Sequence, residues 1–318
     1  MWQVATLFLC KLFTKDNSEI FNLGYNNVHT LNWHRTQMTE KNTKIIAVAN
    51  HKGGCGKTTT VVNLSAELAK LGQSVLVIDL DPQANASLHI GKDHPSEISV
   101  TIAELLLSEP EKLPLAIHED TNIEGVSLIY GSLALGVAED KLKDEAPRPS
   151  EELRDKISPL IGLYDVILID CPPSLKLLTS NALAAATDLI IPIESGSQYG
   201  MYGVTDLIRH LQKIYRINPN LNLLGALLIR HDERQTVCKL IESSAKEQIG
   251  KLIPVKIPTS TKVNQAAMAQ TSIQKIDRSS KVAREFRRLA IWVTSELNLS
   301  TEHVEIDAKD LDFEVDND

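Results

Sequence analysis

The chain has 318 residues, 43% of them hydrophobic and 23% charged, which suits one large α/β domain or two small ones. No run approaches the 18 or more apolar residues of a membrane span, and the four cysteines form no C-x-x-C or other metal-ligand spacing. The net charge of −8 is local: residues 295–318 hold nine acidic residues and one lysine, whereas residues 204–290 hold 16 Lys/Arg against 7 Asp/Glu. That asymmetry says more about partners than the total does.

Residues 1–37 differ from the remainder of the chain. They carry Trp2, Phe8, Phe13, Phe21, Tyr25 and Trp33, six of the chain's 14 aromatics, with no sustained helix or strand period. The apolar stretch from Val4 to Cys10 is short and lacks a basic leader, so it does not read as a signal peptide. Two readings stand for this extension: an over-extended translation ahead of a natural start at Met38, or a docking segment. The expected domain runs from 38 to 298, followed by an acidic, disordered tail over 299–318.

The predicted elements begin with a strand over 44–50, followed by His51-Lys52-Gly53-Gly54-Cys55-Gly56-Lys57-Thr58-Thr59 and a helix from Thr60 to Leu71. A glycine-rich loop between a buried strand and a helix is the geometry of a phosphate cradle. Backbone N–H groups and the positive helix N-terminus converge on one anion, Lys57 adds a charge, and the Thr58 hydroxyl is able to ligate Mg²⁺. The strict G-x-x-x-x-G-K-[ST] pattern fails, because its first glycine falls on His51, and a second lysine, Lys52, stands beside the glycines.

Two further apolar runs end in carboxylates: 75–78 before Asp79 and Asp81, and 166–169 before Asp170. Continuous Val/Ile/Leu runs mark parallel strands buried on both faces, and ligands sit at the carboxyl ends of such strands. Further strands are expected at 126–130, 189–193, 223–229 and 252–257. Helices are expected at 150–161, 204–215, 237–249 and 282–297. Alternating strands and helices imply a parallel sheet covered on both faces. Cys55 lies inside the phosphate loop, where a disulfide would obstruct binding, and a reducing cytoplasm fits best.

K-G-G-x-G-K-T-T resembles the deviant Walker A motif of the ParA/MinD ATPases. Asp79-Leu80-Asp81-Pro82-Gln83-Ala84-Asn85, Asp170-Cys171-Pro172-Pro173-Ser174 and Ile257-Pro258 extend the likeness to ParA/Soj-type chromosome and plasmid partition ATPases over about residues 43–295. The resemblance implies an α/β P-loop NTPase with a mostly parallel sheet flanked by helices, and ATP and Mg²⁺ as cofactors. Gly53, Gly54, Cys55, Gly56, Lys57, Thr58 and Thr59 would cradle the phosphates, and Thr58 and Asp170 would hold the cation with Asp79 in support. Asp81 would orient the attacking water, and Lys52 would reach the partner's phosphates across a homodimer. Asp232 and Pro258 are candidates for the adenine side by position.

The dimer is then expected to bind duplex DNA non-specifically in the nucleoid, with a ParB-like centromere-binding partner. The candidate contacts are Arg209, Lys213 and Arg216 on one helix, and Lys262, Lys275, Arg278, Lys281, Arg284, Arg287 and Arg288 near the C-terminus. The sequence departs from the family pattern in three places. Residues 194–203 replace an E-Y-Y-A-L-E-G-like segment and are one residue longer, residues 259–266 match loosely, and the acidic tail is extra. A MinD-like membrane-positioning ATPase is the alternative, but it needs a basic amphipathic C-terminus, and anionic lipid would repel this one. An iron–sulfur carrier on the same fold needs cysteine ligands that the spacing does not supply.

Overall fold

The computed structural model describes residues 42–108 and 110–300. The extension before Met38 and most of the acidic tail lie outside the described residues. In chain order the elements are β1 (Lys44–Val48), α1 (Lys57–Lys70), β2 (Val75–Asp79), α2 (Asn85–Ile90), α3 (Ile102–Leu106), α4 (Leu113–Ala116), β3 (Ile117–His118) and β4 (Val126–Ile129). There follow α5 (Leu135–Glu145), α6 (Glu152–Ile157), β5 (Val166–Asp170), α7 (Leu177–Ala185), β6 (Asp188–Glu194) and α8 (Val204–Ile214). The last are β7 (Asn222–Ile229), α9 (Thr236–Ile249), β8 (Leu252–Ile257), α10 (Lys262–Met268), α11 (Ile273–Ile276) and α12 (Lys281–Glu296).

The strands form one sheet in the order β3-β4-β2-β5-β1-β6-β7-β8. All neighbours are parallel except the short edge pair β3 and β4. Successive side chains of a strand point to opposite faces, and β1 shows this directly. Ile45 and Ala47 join the apolar layer under α7, α8 and α9, while Ile46 and Val48 join the layer under α1 and α12. Both layers are built of buried apolar side chains, which is why the sequence of these strands reads as unbroken apolar runs.

The helices form for local chemical reasons. Ser280 caps α12 by accepting from the Ala283 N–H at 3.4 Å, and Val282, Phe286, Leu289 and Val293 then form one buried stripe. α1 begins at Lys57, three residues before the expected start at Thr60, because Gly56 turns the chain directly into the helix and the Thr60 N–H already bonds the Gly56 carbonyl at 2.9 Å. The helix expected over 150–161 is shorter: Pro159 has no N–H to continue the ladder, and Ser158–Leu160 tightens into a 3₁₀ turn. Helices α5, α7, α10 and α11, the short helices between β2 and β4, and β3 were not expected from the sequence.

The register decides where the chemistry sits. Val48 of β1 and Asp79 of β2 both pair with Asp170 of β5. The three central strands therefore end level, and the loops leaving them share one crevice.

Candidate nucleotide-binding site

The loop 51–56 leaves the carboxyl end of β1 and feeds α1. Gly54 and Gly56 adopt left-handed conformations, with φ of 71° and 89°, which a side chain would strain. At Gly56 a Cβ would also lie 3.1 Å from Ile229 Cγ2 at the end of β7, so glycine lets the loop close onto the sheet. Nothing lies within 4 Å of a Cβ at Gly54. Cys55 faces inward, and burial raises its thiol pKa against the lowering pull of Lys57. It is a free, buried cysteine, like Cys171 and Cys238.

The functional groups of the loop are held by the protein's own atoms. Lys57 is 7% exposed and donates to the Lys52 carbonyl at 3.1 Å. Thr58 Oγ1 donates to Asp170 Oδ2 at 2.7 Å, while Asp170 Oδ1 is buried with no hydrogen-bond partner. Burial, and then the charge of Asp79, hold the Asp170 carboxyl well above the usual carboxylate range, opposed by the Thr58 bond and Lys57. A buried acceptor without a donor beside a threonine hydroxyl is a place for a hard cation. Mg²⁺ is usually held by one or two carboxylates together with substrate phosphates, so this hydroxyl and carboxylate fit the group.

Asp79 is turned elsewhere. Its Oδ2 accepts from Ser87 N and Ser87 Oγ, both at 2.7 Å, and its Oδ1 accepts from Asp81 N at 3.1 Å. Burial pushes its pKa up to about 6 against the lowering effect of those bonds. In this state Asp79 fixes the turn after β2 and the start of α2. Asp81 is 7% exposed, and its Oδ1 accepts from Gln83 N at 3.0 Å. A cavity of about 260 Å³ opens beside the loop, lined by Thr58, Thr59 and Asn63 of α1, Asn85 and His89 of α2 and Val263 of α10.

Asp232 and Pro258 belong to adjacent loops, since His231 N donates to the Ile257 carbonyl at 2.9 Å. The Asp232 carboxylate is engaged by Arg234 through Nε at 2.9 Å and Nη2 at 2.8 Å, which holds it below the usual range.

The basic candidates do not form one surface. α8 packs in the layer opposite α12, so Arg209, Lys213 and Arg216 lie across the sheet from the C-terminal set. Arg209 pairs with Asp206 at 3.3 Å, while Lys213 and Arg216 are exposed. In the C-terminal set, Lys262 pairs with Asp277 at 3.6 Å, Arg287 lies 3.9 Å from Glu67, and Arg288 lies 3.3 Å from Glu285. Lys275, Arg278, Lys281 and Arg284 are exposed and gather between α11 and the first turn of α12. Sequence reasoning missed Ser87, the partner of Asp79, and also Glu194 and Arg230, which stand beside Lys52. The Glu194 contacts join segments 142 and 36 residues apart and leave no sequence signal, whereas Ser87 lies only eight residues from Asp79.

A glycine-rich loop at the end of a central parallel strand, with its lysine, threonine and a facing carboxylate, defines a P-loop nucleotide hydrolase. Residues 43–223 match a family model described as an AAA domain. The chromosome-partitioning ATPase Soj of Thermus thermophilus is 36% identical over 247 residues, covering 77% of this chain and 93% of that protein. The chromosome partitioning protein ParA of Caulobacter vibrioides is 32% identical over 256 residues, covering 79% and 94%.

Among solved structures, a Mycobacterium smegmatis protein described as cobyrinic acid a,c-diamide synthase, with bound ATP analogue and magnesium, superposes with TM-score 0.68 at 33% identity, covering 81% of this chain and 96% of its own. MinD of Pyrococcus horikoshii with Mg-ADP superposes with TM-score 0.67 at 26% identity, covering 82% and 100%. The chain belongs to the ParA/Soj family of ATPases. It is an ATPase that uses ATP and Mg²⁺.

Proposed function

We propose that this ATPase partitions DNA: bound ATP joins two copies into a sandwich dimer that holds duplex DNA non-specifically, and hydrolysis, stimulated by a ParB-like partner, releases it. The observation that carries this reading is the pair of lysines on one loop. Lys57 is drawn inward to the cradle, while Lys52 is held at its mouth by Glu194. A cradle for one nucleotide needs one lysine, so the second is free to serve the nucleotide of another copy.

Magnesium ATP, when bound, supplies the phosphoanhydride and a cation that neutralises its charge. The chain's own groups then act as follows. Lys57 exchanges the Lys52 carbonyl for phosphate oxygens. Thr58 and Asp170 hold the cation, and Asp170 Oδ1 gains the partner it lacks. The N–H groups of Gly53 to Thr59 line the anion, and Thr59 bonds the α-phosphate. Asp81, in the turn after β2, orients the attacking water. Asp79 supports the crevice by fixing the turn that carries Asp81. Asp232 and Pro258 flank the adenine side.

DNA is held by exposed lysines and arginines against phosphate, which gives salt-sensitive, sequence-independent binding. Lys275, Arg278, Lys281 and Arg284 are the strongest candidates because four exposed cations gather around the start of α12. Among the described residues no helix is long and apolar enough to cross a membrane.

The test is molar mass by light scattering. Wild type should double its mass with magnesium ATP and not with ADP, and Lys52→Ala should stay monomeric while still binding nucleotide. A full dimer of Lys52→Ala would refute the trans role.

A further inference from the structure

The structure assigns Glu194 as the positioning residue that parks Lys52 until a second copy arrives, with Arg230 as the cation that takes over when Lys52 leaves. This inference rests on the proposed trans role of Lys52. Lys52 Nζ donates to Glu194 Oε2 at 2.6 Å, across 142 residues of sequence. Both side chains are 16% exposed, so the pair is well shielded from water. Arg230 Nη1 donates to the other oxygen, Glu194 Oε1, also at 2.6 Å. One carboxylate is thus shared by two cations, one on the phosphate loop and one at the end of β7.

The surroundings fix Glu194 in place. It is the last residue of β6 and pairs in register with Ile229 of β7. One residue on, Ser195 N donates to the Ile229 carbonyl at 2.9 Å, and Ser195 Oγ lies 3.0 Å from His231 Nδ1. Two side-chain rungs, Glu194–Arg230 and Ser195–His231, therefore lock the ends of β6 and β7 together beside the phosphate loop. Arg230 has φ of 54°, a left-handed conformation that a non-glycine residue keeps only when its surroundings impose it. The loop after β6 also reaches back to the phosphate loop, since a Cβ at Gly203 would lie 2.9 Å from His51 Cβ.

The two cations have opposite effects on Lys52. Glu194 competes with phosphate for its ammonium. Arg230 shares the carboxylate, repels Lys52, and leaves Glu194 paired after Lys52 departs. A shielded carboxylate left with no cation would be costly, so Arg230 makes release of Lys52 cheap. The expected shifts therefore have opposite signs. Glu194→Gln removes the competitor and should tighten the monomer–dimer constant, and Arg230→Gln should loosen it. Each shift should be about tenfold, the value of a charge-assisted hydrogen bond in partial burial.

The experiment is sedimentation of the full chain over a protein concentration series with magnesium AMPPNP, on wild type, Glu194→Gln, Arg230→Gln, Lys52→Ala and the Lys52→Ala/Glu194→Gln double variant. Tightening by Glu194→Gln that vanishes in the Lys52→Ala background, with loosening by Arg230→Gln, is the expected result. Unchanged or weaker association of Glu194→Gln, or tightening that persists without Lys52, overturns the clamp. If Lys52→Ala is monomeric while Glu194→Gln matches wild type, the clamp alone fails. If Lys52→Ala dimerises like wild type, the trans role fails and the clamp with it. Should Glu194→Gln not fold, Glu194→Asp keeps the charge but shortens its reach. It should tighten association by a smaller factor, and no tightening overturns the clamp.

Discussion

Replacing Gly56 by alanine crowds a methyl group against Ile229 at the end of β7. The residue has φ of 89°, and the new Cβ would lie 3.1 Å from Ile229 Cγ2. The left-handed conformation costs alanine about 1–2 kcal/mol, and overpacking against a buried side chain adds roughly 1–2 kcal/mol. Gly54→Ala meets only the first cost, because its φ is 71° and nothing lies within 4 Å of the new Cβ. Gly53→Ala meets neither: its φ is not positive, and the nearest atom, Pro173 Cβ, is at an ordinary 4.0 Å.

The destabilisation should therefore be near zero for Gly53, about 1–2 kcal/mol for Gly54 and about 2–4 kcal/mol for Gly56. For a domain of this size each kcal/mol moves the melting temperature by about 2–4 °C. Thermal melts of the three nucleotide-free variants give the order directly. Melting of Gly56→Ala alongside Gly53→Ala would refute the claim that this loop is held in a strained conformation against β7.

Asp170→Asn keeps an acceptor for Thr58 and removes a buried carboxyl whose ionisation burial disfavours. Because the folded-state pKa is raised, the folded protein keeps a proton that the unfolded chain releases, and stability falls as pH climbs past about 4. The variant should therefore melt higher than wild type at neutral pH, lose that advantage below about pH 4, and gain no stability from magnesium with nucleotide. A lower neutral melting temperature, or an intact magnesium response, counts against the assignment. Asp81→Ala should bind ATP and dimerise but hydrolyse it at least tenfold more slowly in a phosphate-release assay, and a wild-type rate would remove Asp81 from the chemistry. Paired reversal of Arg278 and Arg284 to Glu should weaken duplex binding and flatten its salt dependence by roughly one slope unit for each phosphate no longer neutralised. An unchanged salt slope would reject this patch.

The sheet was largely legible because its strands are buried on both faces. β8 falls on the expected residues 252–257, and β6 and β7 differ from expectation by a residue or so at their ends. The helices that escaped have physical reasons. α7, Leu-Leu-Thr-Ser-Asn-Ala-Leu-Ala-Ala, is apolar nearly all round and shows no amphipathic period. The four- to six-residue helices between β2 and β4 are too short for periodicity to register. α5 does carry a stripe, Leu135, Ala138 and Leu142, among charged residues, and this signal was available.

The site divides the same way. The phosphate loop and the strand-end carboxylates are contiguous motifs and could be read. Their partners are supplied by the fold: Ser87 for Asp79, and Glu194 and Arg230 around Lys52. The two basic sets looked like one electrostatic feature in sequence, yet the sheet stands between them.

The central claim is that nucleotide state gates DNA binding, and fluorescence anisotropy of a labelled random-sequence duplex tests it most directly. The full chain is titrated into the duplex with magnesium ATP, with magnesium ADP and without nucleotide, at two salt concentrations. The account predicts saturable binding with ATP, at least tenfold weaker binding in the other two states, and a steep loss at the higher salt. Equal affinity in all three nucleotide states, or no binding with ATP, would contradict it.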